Sequence, residues 1–309
     1  MKALTAARAI AARVGSRLVS SPTSTDPPLV LLFSKDRAIR LELFLRSYAQ
    51  HVSRPLPITV LYLASSDAHR RAYEEVFAAY RALELTAIAE GAFKPDLLAV
   101  LRACSARHVL FFMDDIVFLH PVDTRLLEQW DPGDGILSLR LGRNITHCAD
   151  GDAARPQPQP ELFEDTALRE QPLARWRWSD GQLDWAQPTS LNGHLLPLPD
   201  LVPVIEQASF EAPASLDAAI GQYKFLFKGR WGYCWEQARI MSLPFDPVTS
   251  EQVGATAPQD SDEPPPLLQA FQRGLRLDIS ELPLAQHNSC RMAWAPALRR
   301  DTERPAAGG

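Results

Sequence analysis

The chain has 309 residues, 46% of them hydrophobic and 22% charged, an ordinary balance for a globular protein with room for one large core or two smaller ones. Lys and Arg number 32 against 37 Asp and Glu, a net charge of -5, so no global basic field draws nucleic acid and no nucleic-acid partner is expected. Cys104, Cys148, Cys234 and Cys290 form no Cys-x-x-Cys pair, which argues against a zinc module or a disulfide scaffold and fits a reducing compartment; no apolar run is long enough to cross a bilayer.

The first 20 residues hold Lys2, Arg8, Arg13 and Arg17 and no acid. They predict a basic amphipathic helix, followed by a Ser- and Pro-rich linker to residue 27. Such a helix suits peripheral contact with the inner face of a membrane, a transit peptide or simple solvation. Arg8 and Arg13 interrupt the apolar core that a secretory signal needs. The expected location is cytoplasmic, with peripheral membrane contact through residues 1–20 as an option.

Leu29 to Phe33 reads as the first buried strand. It leads through Ser34, Lys35, Asp36 and Arg37 into an amphipathic helix from about Ala38 to Val52. Ser34 and Asp36 sit where side chains cap a helix, and also where nucleotides meet an α/β sheet. Ile58 to Leu63 is the second strand, with a polar end at Ser65 that opens a helix from Asp67 to about Ala82. A weaker strand follows at Leu83 to Ile88. Lys94 and Pro95 then start a helix that runs to about Ala106. Strands alternating with helices imply βαβ units and a parallel sheet.

The fourth strand carries the chemistry. Val109 to Phe112 is continuously apolar, as in a strand covered on both faces. Asp114 and Asp115 interrupt it after Met113, and Ile116-Val117-Phe118 follows. Burying unpaired carboxylates costs several kcal/mol or more, so the strand is expected to end at this pair, on the carboxyl edge of the sheet where open α/β folds bind ligands. There the two acids either cap the next turn or grip a divalent cation that also meets substrate phosphates.

No Gly-x-Gly-x-x-Gly follows any strand, and no phosphate-loop or Gly-x-Ser-x-Gly motif occurs. A short helix from Thr124 to Trp130 precedes a further strand at Ile136 to Arg140, which runs on toward Asn144. Residues Gly151 to Gln171 form a polar, proline-rich excursion, either a lid or a plain insertion. Trp176, Trp178 and Trp185 suit a pocket that stacks on sugar rings, or else fill a second core. His194 lies in an Asn-Gly turn and not on an apolar face, which favours a functional histidine. A helix is expected over Ser215 to Phe225, and a last strand over Ala238 to Leu243.

In element order and acidic strand end, Leu29 to Arg143, with weaker echoes at Ser190 to Leu195, resembles the GT-A class of nucleotide-sugar glycosyltransferases, family-2-like. The residues that carry the likeness are Leu29 to Arg37, Ile58 to Leu63 and above all Phe111 to Phe118. The resemblance implies an α/β, mostly parallel, Rossmann-like sheet flanked by helices. It also implies transfer of a sugar from a nucleoside-diphosphate sugar to a hydroxyl of a glycan, lipid-linked or small-molecule acceptor. In that class an Asp-x-Asp motif holds manganese or magnesium (Mn2+ or Mg2+) against the donor diphosphate. Here Met113 stands in place of the first acid, so Asp115 is the expected metal ligand, with Asp114 on the donor's ribose or sugar or on the metal through a bound water, and His287 as a late third ligand.

The same likeness offers His194 and then Asp217 as the base. Ser34, Asp36, Arg37, Ser65 and Lys94 become nucleotide contacts, and Arg140 and Asn144 face the sugar or phosphates. It also implies a nucleotide half over residues 28–145 and an acceptor half over 146–300 within one catalytic domain, ahead of a disordered tail at 301–309. A sugar-nucleotidyltransferase and a non-catalytic nucleotide- or glycan-binding relative are the competing readings; the first wants a Gly-rich loop after strand one, which is missing.

Overall fold

The computed structural model describes residues 26–131, 133, 135–150, 153–165, 172–244, 266–294 and 296–300. The expected N-terminal helix, both ends of the proline-rich excursion (151–152 and 166–171) and the C-terminal tail lie outside these residues.

Alternation along two strands fixes the centre of the molecule. In β1 (Leu29–Lys35) and β4 (His108–Met113), successive side chains enter two different cores. Val30, Leu32, Leu110 and Phe112 go to one, and Leu31, Phe33, Val109 and Phe111 to the other. Both strands are therefore apolar at nearly every position, as the sequence predicts for a sheet covered on each side. Helix α1 (Ala38–His51) seals the first core with Phe44 and Tyr48, and α2 (Asp67–Ala79) adds Tyr73 and Val76. Helix α3 (Phe93–Ala103) seals the second, its Phe93 edge-on to Phe33 with ring centroids 5.2 Å apart. Burying such rings contributes on the order of 2–3 kcal/mol each.

The main sheet has nine strands. With β2 (Ile58–Leu63), β3 (Leu85–Ala89), β6 (Ile136–Gly142), β9 (Phe163–Asp165), β10 (Leu173–Arg177), β11 (His194–Pro197) and β12 (Trp231–Trp235), its order is β3-β2-β1-β4-β11-β6-β12-β10-β9. Strands β1 to β4 are mutually parallel in the pairs they make; β11 runs against both β4 and β6, and β10 against both β12 and β9. Only β11 and β10 are thus reversed. The α/β class and the mostly parallel, helix-flanked sheet are as expected from the sequence.

Sequence reasoning missed β10, β11 and β12. They are short, and tryptophan, histidine and proline interrupt their apolar pattern. It also missed α5 (Leu198–Gln207), which follows α4 (Thr124–Glu128) and starts with proline in its first turn but carries Pro203 inside, a residue that usually breaks helices. Helix α6 spans Pro213–Gly221, starting earlier and ending sooner than the expected Ser215 to Phe225.

A second, two-stranded sheet pairs β5 (Ile116–Phe118) with β13 (Ile240–Ser242), antiparallel. It carries the chain from the acidic pair across to the last third of the sequence. Smaller ribbons join β7 (His147–Asp150) to β8 (Ala153–Pro156) and β14 (Leu275–Asp278) to β15 (Ala297–Arg300), with α7 (Pro266–Gln272) packed on β14. Among the described residues, no helix is long and apolar enough to cross a membrane.

Candidate active site

The acids end β4 as the sequence predicts, and each is pinned from a different part of the chain. Asp114 is buried; Ser34 Oγ, from the end of β1, donates to its Oδ2 at 2.7 Å, and Arg37 Nη1 stands 3.7 Å from its Oδ1. Ser34 also meets the Tyr73 hydroxyl at 2.7 Å, so a buried chain of polar groups fixes this carboxyl. Burial pushes the Asp114 carboxyl up to about 6, against the pull of Arg37 and Ser34. Asp115 lies one residue further out. Ser242 Oγ, on β13, donates to its Oδ2 at 2.5 Å, while its buried Oδ1 has no hydrogen-bond partner among the described residues.

Beside them opens a cavity of about 710 Å³, walled by Arg37, Met113, Asp114, Asp115, Arg140, Asp184, Ser190, Asn192, Asp217, Lys224, Ser242 and Arg291, among others. It lies along the ends of β4 and β6, where β11 reverses direction between them, a position suited to ligands in open α/β sheets. Arg140 is held inside it by Asp184 Oδ1 at 2.7 Å and Ser190 Oγ at 2.6 Å. Asp217 comes from α6 on another wall; its Oδ1 accepts the Leu191 backbone N–H at 2.9 Å, and its Oδ2 has no partner among the described residues.

The turn after β1 is built for close approach. Asp36 sits at φ 55, a left-handed conformation that aspartate tolerates, and its Oδ1 accepts the Ser65 N–H at 2.7 Å. The ends of β1 and β2 are tied together there, with Arg37 the residue that reaches into the cavity.

Other expected residues lie elsewhere. His194 is fully buried on β11, tilted against Trp178 with ring centroids 5.4 Å apart, and its Nδ1 faces the Pro188 carbonyl at 3.2 Å. Burial, reinforced by Arg140, pushes it down to about 3, so it is a neutral core side chain out of reach of any acceptor. The reading of an Asn-Gly turn failed because Gly193, at φ +73, turns the chain directly into a central strand. His287 is stacked on His120 with ring centroids 6.4 Å apart, buried and outside the cavity wall; it is not brought to Asp115. Lys94 points to the end of α5, donating to the carbonyls of Glu206 at 3.0 Å and Ala208 at 2.6 Å, a helix-end contact instead of a nucleotide contact. Asn144 spends both ends of its amide on backbone, at His287 O and Ala238 N, and clamps two segments together.

The three tryptophans are core, not platform. Trp176, Trp178 and Trp185 are fully buried and pack edge to face, with centroids 4.7 and 4.8 Å from Trp176. Sequence reasoning did not single out Asp184, Ser242, Lys224 or Arg291 for the site. Each lies in a stretch without a motif, and only folding brings it to the wall.

A hard dication needs oxygen ligands, one or two of them protein carboxylates, with phosphates and water completing the shell. The orphaned Oδ1 of Asp115 fits that demand. Among the described residues no group of three His, Cys, Asp or Glu side chains surrounds a common point, and the Met113 thioether is a poor partner for such an ion. The donor set therefore fits a cation held by one carboxylate, not a cage.

No family model matches the chain, and no curated protein matches it. Among solved structures, 90 chains match. A mannosyltransferase from Pyrobaculum calidifontis in complex with GDP-Man and Mn2+ is 19% identical over 47% of this chain and 49% of its own, with a TM-score of 0.29. The WbbM bifunctional glycosyltransferase is 12% identical over 68% of this chain and 39% of its own, with a TM-score of 0.37. S. aureus TarS in complex with UDP-GlcNAc is 13% identical over 69% of this chain and 57% of its own, with a TM-score of 0.43. The chain thus spans between 39% and 57% of the length of these structures. Identities and TM-scores this low assign no activity, and the functional reading rests on the site.

Proposed function

We propose that the chain is a glycosyltransferase that moves a sugar from a nucleoside-diphosphate sugar to a hydroxyl of an acceptor. The observation that carries this reading is the division of labour among the four cavity carboxylates. Asp114 is committed to Ser34 and Arg37, and Asp184 to Arg140. Asp115 keeps one buried oxygen without a partner, suited to a cation on a diphosphate, and Asp217 keeps one oxygen facing the cavity, suited to a proton.

In this reading the nucleoside lies against the Asp36–Ser65 turn and Arg37, which Asp114 and Ser34 hold in place. Asp217 Oδ2 accepts the proton of the acceptor hydroxyl as its oxygen forms a bond to the anomeric carbon. The bond from that carbon to the diphosphate oxygen breaks, and the nucleoside diphosphate leaves with the electron pair. Arg140, fixed by Asp184 and Ser190, presents a preorganised positive charge to the reacting groups. Asp115 would hold a manganese or magnesium ion, which when bound neutralises charge on the diphosphate.

Calorimetric titration of UDP and GDP, with and without manganese, tests the reading. Binding that manganese strengthens, with the strengthening lost in a folded Asp115→Ala variant, is the expected outcome. Equal binding by wild type and variant under both conditions would remove the central support. Binding without any turnover of a sugar donor would instead favour the non-catalytic relative.

A further inference from the structure

Arg291 is a cavity cation whose backbone the fold ties to the outer acid through Ser242. Its backbone pairs with Ser242: the Ser242 N–H donates to the Cys290 carbonyl at 3.0 Å, and the Met292 N–H to the Ser242 carbonyl at 3.0 Å. Ser242 in turn holds Asp115 through its hydroxyl at 2.5 Å. Arg291 and Asp115 are therefore tied to the two sides of one residue, and both line the cavity.

The other cavity arginines already face acids, Arg37 opposite Asp114 and Arg140 against Asp184. The Arg291 guanidinium has no acidic partner among the described residues. The remaining cation, Lys224, follows the helix that carries Asp217 and has no such link to the acidic pair.

Charge balance gives this arrangement a purpose. Four carboxylates wall the cavity and would repel a diphosphate. Asp115 Oδ1 is the one oxygen of the acidic pair without a partner among the described residues, and a single carboxylate holds a hard dication weakly. A guanidinium offers a planar fork that matches phosphate oxygens and stays charged at every working pH.

We infer that Arg291 is a diphosphate-binding residue, a positive charge on the cavity wall that lets the site hold a nucleoside diphosphate even when no divalent cation is present. The inference rests on the proposed glycosyl-transfer reading and deepens it by naming the group that meets the phosphates.

Titration of UDP and GDP in EDTA and in manganese, on wild type, Arg291→Gln, Arg291→Lys and Arg125→Gln, tests it. Arg125 is an exposed arginine outside the cavity wall. The expected result is that wild type binds in EDTA and that Arg291→Gln weakens this binding about tenfold or more, the scale of one lost charged hydrogen bond. Arg291→Lys should fall between them and Arg125→Gln should match wild type. Equal binding of Arg291→Gln and wild type in EDTA overturns the inference. Binding by wild type in manganese but not in EDTA also overturns it while leaving glycosyl transfer standing. No binding under either condition overturns both.

Discussion

Ser242 Oγ donates to Asp115 Oδ2 at 2.5 Å across a sequence separation of 127 residues, so a strand from the last third of the chain sets the orientation of the outer acid. The β5–β13 ribbon makes this contact. Met241 pairs with Val117 and Ser242 with Ile116, which delivers the hydroxyl beside the turn that holds Asp115. Asp115 and Arg291 are thereby two ends of one assembly, and the ribbon behaves as part of the site.

Ser242→Ala should cost about 1–3 kcal/mol of stability, because it leaves a part-buried carboxylate oxygen without its donor. It should also weaken manganese-dependent binding of UDP or GDP, since Asp115 is then free to rotate. Urea denaturation and calorimetry read the two effects separately. A variant that loses neither stability nor affinity would show that the hydroxyl plays no part.

Asp217→Asn isolates the proposed base. Asparagine keeps an oxygen for the Leu191 N–H and changes only the proton acceptor. Donor-diphosphate affinity should hold while turnover falls roughly 10²- to 10⁴-fold. A parallel loss of binding would mean that Asp217 positions the substrate and takes no proton.

The pH dependence of stability carries two opposed contributions. Asp114, raised by burial from its ordinary 3.8 to about 6, holds an extra proton in the folded state inside that window, so its contribution falls as pH rises. His194, lowered by burial to about 3, and His108 and His287, lowered by burial to about 4, stay neutral when folded but take protons when unfolded. Their contribution is therefore lost as pH drops below about 6.5. Three histidines outweigh one carboxyl, and the protein should lose stability in mild acid.

Asp114→Asn removes the opposing carboxyl. The variant should gain on the order of 2–3 kcal/mol over wild type at pH 7, from a shift of about two units, and little at pH 4. Urea midpoints at the two pH values check this, and an equal difference at both would show that Asp114 is not raised.

Trp176→Ala tests whether the tryptophans are structural. The ring is fully buried, and a Cβ on Gly232 of the neighbouring strand would lie 2.4 Å from it, so the fold leaves it no alternative place. Truncation should cost about 3–5 kcal/mol with donor affinity unchanged in the fraction that folds. A selective loss of sugar or nucleotide binding at unchanged stability would restore the platform reading.

The legible part of the site is the part encoded by local pattern. Asp114 and Asp115 stand out because acids interrupt an apolar strand, and Asp36 and Arg37 because they follow one. His194 was misread for the converse reason. Its polar neighbours Asn192 and Gly193 look like a surface turn, yet β11 is inserted between β4 and β6 and takes the ring into the core. Lys94 and Asn144 misled in the same way, since a lysine and an amide near strand ends serve a backbone carbonyl as readily as a ligand.

The amino-acid order alone determined the helix-flanked sheet and the placing of two carboxylates at its rim, because periodicity and the cost of burying charge act within a few neighbouring residues. Tertiary structure alone decided which acid keeps a free oxygen, which histidines are withdrawn into the core, and that Asp184, Asp217, Ser242 and Arg291 meet around one cavity. Those outcomes depend on strand order and on pairings between distant segments, where the packing of one face selects the partner and no local pattern records the choice.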